Sequence, residues 1–104
     1  MTQHLIQLLL PLRMRDGGDV PAEMFAAVRM ELTQRFGGVT AYSRSPATGL
    51  WKRTEADIER DQVIMIEVVV EAFDRDWWAQ YREQLAQRFG QEEVHASALA
   101  IDRI

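Results

Sequence analysis

The feature that most constrains the fold is an internal repeat, in which residues 28–37 (VRMELTQRFG) align with residues 81–90 (YREQLAQRFG). Six of the ten aligned positions are identical. Apolar side chains recur at helical spacing in both copies: Phe25, Val28, Leu32 and Phe36 in the first, and Trp78, Tyr81, Leu85 and Phe89 in the second. Each copy ends at a glycine, which readily adopts the left-handed conformation that closes a helix. The repeat therefore predicts two equivalent amphipathic helices with Phe36 and Phe89 in equivalent core positions.

Strand-like segments surround both predicted helices. Residues 4–12 are aliphatic and residues 63–72 are rich in β-branched side chains, and each run precedes a helix. Residues 39–44 and 94–101 alternate in polarity and follow the helices. The pattern β-α-β thus occurs twice and predicts an α+β fold of the ferredoxin-like βαββαβ type. We expect a four-stranded antiparallel sheet in the order 4-1-3-2, with both helices on one face.

A chain of 104 residues has room for one such domain. We therefore assign residues 1–104 to a single domain, in which residues 4–44 and 63–101 form the two halves of the pseudo-repeat. The connection over residues 45–62 is longer than a hairpin requires, and long connections often have a function.

Strand periodicity separates the residues that face the helices from those on the other side of the sheet. The open face is predicted to carry Leu5, Gln7, Leu9, Thr40, Tyr42, Arg44, Met65, Glu67, Val69, Glu71, His95, Ser97, Leu99 and Ile101. A contiguous surface with so many apolar side chains usually marks an interface. We expect a homodimer in which two open faces meet around a two-fold axis.

The polar residues of this face, together with the Trp of the long connection, form the candidate ligand pocket: Gln7, Tyr42, Arg44, Trp51, Glu67 and His95. His95 could be a general base or a ligand of a haem or metal ion, or only a hydrogen-bonded interface residue. Glu67 or Glu71 could act as an acid or base, or one of them could pair with Arg44 on the neighbouring strand. Trp51 could form a lid or anchor the connection. His4, at the start of the first strand, is expected to be exposed.

Composition excludes several classes of function. The net charge is −4 and the basic residues are scattered, so a phosphate-binding stripe is not formed and nucleic acid is not an expected partner. The absence of cysteine excludes disulfides and thiolate metal sites, and we predict no metal site. The first twelve residues lack the features of a signal peptide and are too short to span a membrane. The expected location is the cytoplasm, without membrane contact.

Three sequence strings resemble a family of small, functionally uncharacterised bacterial proteins: FGGVTA at 36–41, GLW at 49–51 and DRDWW at 74–78. That family in turn resembles the dimeric α+β barrel proteins, a group that includes small monooxygenases, isomerases and haem-handling proteins. The resemblance implies a dimeric barrel with a pocket, but it implies no particular reaction or cofactor.

The sequence supports two hypotheses of function. In the first, a homodimeric α+β barrel binds a small organic molecule between its sheets, with or without catalysis. In the second, the open face is the interaction surface of a non-catalytic or regulatory subunit. A co-purifying ligand would favour the first hypothesis, whereas a dry, interdigitated interface would favour the second.

Overall fold

The computed structural model describes residues 2–44 and 63–104, with side chains for residues 2–40 and 63–104. The order of elements along the described chain is strand, helix, strand, strand, helix, strand. Their bounds are β1 (Gln3–Pro11), α1 (Ala22–Phe36), β2 (Thr40–Arg44), β3 (Val63–Val70), α2 (Arg75–Arg88) and β4 (His95–Ile101).

Strand β1 lies in the interior of the sheet and pairs antiparallel with β3 on one side and β4 on the other. Gln7 is the middle residue of this arrangement, opposite Glu67 on β3 and Ser97 on β4. The backbone of β2 runs antiparallel along the outer edge of β3. The prediction of an α+β protein with two helices and an antiparallel sheet is confirmed for the described residues.

One face of the sheet and the inner sides of both helices form the core. Ile6, Leu8 and Leu10 alternate along β1 and are buried, as are Ile66, Val68 and Val70 on β3. Val28 and Leu32 of α1 and Leu85 of α2 complete this layer and are fully buried. The side-chain alternation predicted from the sequence therefore places the correct residues of β1 and β3 against the helices.

The two helices are joined by reciprocal aromatic contacts. Phe36, at the end of α1, stacks on Trp78 near the start of α2, with ring centroids 5.2 Å apart. Phe89, just beyond the end of α2, packs on Phe25 near the start of α1 at 5.4 Å. Phe36 and Phe89 are equivalent in the repeat, and so are Phe25 and Trp78. The contacts are therefore copies of each other, and they require the helices to run antiparallel.

The ends of the helices follow their sequence signals. The Asp74 carboxylate accepts a hydrogen bond from the Trp77 amide at 3.1 Å and caps α2. Gly37, at the end of α1, has a φ of 88° and its amide donates to Thr33. Gly90 has a φ of 62° and follows Phe89 at the end of α2. Both glycines thus adopt the left-handed conformation that the sequence predicted.

A polar contact also links the helices on their outer side. The Glu31 carboxylate accepts a hydrogen bond from the Tyr81 hydroxyl at 2.7 Å and from the Arg88 guanidinium at 2.8 Å. Partial burial raises the pKa of the Glu31 carboxyl, but the hydrogen bonds from Arg88 and Tyr81 lower it by more. The pKa of Glu31 therefore lies below its ordinary value, whereas burial and the same contact raise the pKa of Tyr81.

The elements differ from the sequence prediction mainly at their ends. β3 ends at Val70 rather than at residue 72. Phe36 is half-buried although its repeat partner Phe89 is fully buried. The reason is local: Phe36 packs at the outer end of the helix pair, against Trp77 as well as Trp78.

We predict that Phe89→Ala lowers the free energy of unfolding by about 3–5 kcal/mol, because it removes a fully buried aromatic ring. Phe36→Ala should cost distinctly less, since that ring is half-buried. Chemical denaturation of both variants measures the difference. A loss below about 1 kcal/mol for Phe89→Ala would show that this ring does not belong to the core.

The Glu31 contact predicts a pH-dependent contribution to stability. Because the folded pKa of Glu31 is lowered, its contribution is present above the unfolded pKa, near 4.5, and is lost as the pH falls through the folded value. Glu31→Gln should therefore lower the melting temperature at neutral pH, and its difference from the wild type should shrink at about pH 3. Glu83→Gln, at an exposed position of α2, is the control; a constant Glu31→Gln deficit across the pH range would contradict the assignment.

Candidate functional site

The open face of the sheet is organised in rows of side chains that cross the strands. One row is apolar and consists of Val69, Leu5 and Leu99, which are opposite one another on β3, β1 and β4. Val69 is 39% exposed and Leu99 is 51% exposed, while Leu5 is half-buried. Because these apolar side chains are neighbours on adjacent strands, they form one continuous exposed strip and not scattered single residues.

The neighbouring row is polar and crosses the middle of the sheet. It contains Thr40, Glu67, Gln7 and Ser97, one residue from each strand. The Gln7 side-chain amide donates a hydrogen bond to the Glu67 carboxylate at 2.7 Å, and both side chains are half-buried. The two central residues of the predicted pocket are therefore brought into direct contact.

A third row, on the other side of the polar one, contains Tyr42, Met65, Leu9 and His95. Met65 is only 4% exposed, and the Gln7 amide lies 3.9 Å from its sulfur. His95 is exposed and occupies the edge strand, opposite Leu9. From the register and the usual spacings, the backbones of His95 and Glu67 are about 12 Å apart. His95 is thus on the predicted face but is not a neighbour of Glu67.

Three predicted pocket residues have no described side chain. The backbones of Tyr42 and Arg44 lie in β2, opposite Met65 and Val63. Arg44 is therefore four positions along the ladder from Glu67, and Thr40 is the β2 residue directly opposite that glutamate. Among the described side chains, Gln7 donates a hydrogen bond to Glu67. A pairing of Arg44 with this glutamate stays a prediction. Trp51 lies outside the described residues.

His4 is not the exposed residue that the sequence suggested. It is half-buried on the helix side of the sheet and stacks on Phe73, with ring centroids 5.1 Å apart. Its Nδ1 is buried and has no hydrogen-bond partner among the described residues. The position follows from strand alternation, because His4 shares its face with Ile6 and Leu8.

A cleft of about 320 Å³ lies on the same side of the sheet, between α2 and the edge strand β4. It has Trp78, Ala96 and Ala98 in its walls and Arg75 and Arg82 among its lining residues. Sequence reasoning missed it. The available signal was that Arg75 and Arg82 are seven residues apart, which places them on one side of a helix, next to a strand with alanine at alternate positions.

The described part of the chain contains neither a metal-binding cluster nor a membrane-spanning helix. No three histidine, aspartate or glutamate side chains are grouped there in a way that could hold a metal ion. None of its helices is both long enough and apolar enough to cross a membrane.

Comparisons of the sequence with protein-family models and with curated proteins, and of the structure with solved structures, each found no match. The resemblance to a small bacterial family and to the dimeric α+β barrel proteins therefore stays a prediction. Any proposal of function therefore depends on the geometry of the described residues.

The Gln7–Glu67 contact predicts different costs for two substitutions. Glu67→Gln keeps an oxygen acceptor of similar shape, so we expect a loss below about 1 kcal/mol. Glu67→Ala leaves the half-buried Gln7 amide without this acceptor and should cost about 1–3 kcal/mol. Glu71→Ala, at the exposed position just after β3, is the control and should change stability by less than about 0.5 kcal/mol. Thermal unfolding of the variants measures these values, and equal losses for both Glu67 variants would contradict the contact.

Proposed function

We propose that this chain is a ferredoxin-like βαββαβ domain with a complete four-stranded sheet, which forms a two-fold dimer through its open faces. In this dimer, two sheets face each other and enclose a barrel-like space. The proposed role of that space is to bind a small organic molecule. The observation that carries the proposal is a hydrogen-bonded polar row beside an exposed apolar row, on a face that no described helix covers.

The apolar row of Val69, Leu5 and Leu99 supplies the reason for association. Covering apolar surface contributes about 25 cal/mol per Å², so burying side chains such as Leu99 and Val69 favours a partner of matching shape. A second copy of the same face is the simplest such partner, because a two-fold axis pairs each patch with itself. Facing sheets pack about 10 Å apart, which leaves room for side chains from both and for a ligand where those side chains are short.

The polar row supplies the recognition. A Glu67 carboxylate that already accepts one hydrogen bond from Gln7 has further acceptor capacity. Thr40 and Ser97 add hydroxyl groups at the two ends of the row. Such a set suits a small molecule with hydroxyl or amino groups. A carboxylate in this position can also act as a general base, so catalysis is included in the proposal.

A second candidate function is a non-catalytic interaction or regulatory subunit. The observation that favours it is the same 2.7 Å contact, because Gln7 and Glu67 partly satisfy each other without a ligand. In that case the polar row serves only to set the register of two interacting faces, and the partner is a second copy or another protein.

Light scattering at micromolar concentration tests the assembly. We expect about twice the monomer mass of 12.0 kDa for the wild type. Leu99→Lys should shift the protein towards monomer, because it places a charge in the apolar row. Met30→Lys is the matched control, because Met30 is also an exposed apolar residue, 61% exposed, but lies on α1 and not on the open face. A wild-type monomer, or dissociation caused by Met30→Lys alone, would contradict the proposed dimer.

Native mass spectrometry of the purified protein separates the two candidate functions. A small molecule held between the sheets should appear as additional mass on the dimer, and Glu67→Gln should reduce its occupancy. Glu71→Gln makes the same charge change outside the polar row and should leave occupancy unchanged. A dimer without additional mass in the wild type would favour the interaction subunit instead.

A further inference from the structure

The cleft between α2 and β4 is a second concave site, on the opposite side of the sheet from the polar row. Ile6 and Trp78 form part of its apolar wall, together with Ala96 and Ala98 of the edge strand. Its volume of about 320 Å³ is within the range of small-molecule pockets, about 300–1,000 Å³. Because it is formed within one chain, it does not depend on the proposed dimer.

The cleft between α2 and β4 is open because the side chains of β4 on this face are small. On β3, the residues that face the helices are isoleucine and valine, and they fill the core below α1 and α2. On β4, the corresponding face carries Ala96, Ala98 and Ala100. Alanine does not extend far enough to meet α2, so Trp78 closes the inner side of the cleft and the outer side remains accessible.

Two arginines bring positive charge to a chain whose net charge is −4. The Arg75 guanidinium lies 5.2 Å from the centre of the Phe73 ring, a cation–π distance. Phe73 is itself stacked on His4 and also lines the cleft. The aromatic contact orients Arg75 at the cleft, and it leaves the N–H donors in the plane of the guanidinium available for an anion.

Arg82 is held only loosely. Its guanidinium is 3.9 Å from the Glu93 carboxylate, beyond hydrogen-bond distance, and the Glu93 side chain is 79% exposed. Exposed ion pairs of this kind contribute about 0–1 kcal/mol, so a bound anion can compete for Arg82. Arg75 and Arg82 are two helical turns apart, which is about 10 Å along α2.

We propose that this cleft binds a small organic anion with a flat apolar body, of the aromatic carboxylate class. The carboxylate interacts with the two guanidinium groups, and the ring system lies against Trp78 and the alanines of β4. Charge complementarity selects the anion, and the shallow alanine floor selects a flat body over a branched one.

Isothermal titration calorimetry with 2-naphthoate tests the proposal, with 2-naphthamide as a neutral ligand of the same shape. We expect 2-naphthoate to bind with a Kd below about 1 mM and at least tenfold more tightly than the amide. Inorganic phosphate, which has charge but no apolar body, should bind more weakly than 2-naphthoate. Equal binding of the amide, or equal binding of phosphate, would overturn the proposed ligand class.

Variants locate the site. Arg75→Gln and Arg82→Gln should each weaken 2-naphthoate binding about tenfold, whereas Arg29→Gln removes the same charge from an exposed position of α1 and should not. Ala98→Leu should block the cleft, whereas Ala100→Leu, further along β4, should not. Circular dichroism melting of every variant confirms folding. No binding to the wild type, or equal effects of Arg29→Gln and Arg75→Gln, would overturn the proposal.

Discussion

The reciprocal packing of Phe36 on Trp78 and of Phe89 on Phe25 determines how the two halves of the chain combine. In each contact, one helix contributes an aromatic residue near its start, and the other helix contributes a phenylalanine at its end. Ring pairs at these distances contribute about 0.5–1.5 kcal/mol beyond the area they bury, and their larger effect here is geometric. They hold the helices antiparallel to each other, on the same side of the sheet.

That arrangement makes the two faces of the sheet different. The side that carries the helices is a closed core over β1 and β3, whereas it is incomplete at β4, where alanines replace larger residues. The other side has no described helix above it and presents an apolar row beside a polar row. Both candidate binding sites follow from this asymmetry: the open face through association, and the α2–β4 cleft through the gap left by small side chains.

Much of this could be predicted from the sequence because it depends on periodicity. The repeat predicts equivalent helices, and alternation along β1 and β3 predicts the two faces, including the placement of Gln7 and Glu67 together. Contacts between different strands and helices were harder to predict from the sequence. Register depends on loop geometry, so the sequence did not predict that Thr40 is the β2 residue opposite Glu67. The pairing of Arg44 with Glu67 or Glu71 stays a prediction. His4 was misjudged because its burial comes from Phe73, a residue outside any strand or helix. The cleft depends on what alanines fail to fill, which no single motif indicates.

Isotope-filtered NMR is a direct test of the proposal that a second copy of the chain covers the open face. A sample is prepared by mixing protomers labelled with carbon-13 and unlabelled protomers, and intermolecular nuclear Overhauser effects are recorded. If two open faces meet, such effects should appear at the methyl groups of Leu5, Val69 and Leu99, and none should appear at Met30 on the exposed side of α1. Intermolecular effects that are confined to the helices would contradict the proposed dimer. Their complete absence at the concentration used for light scattering would also contradict it.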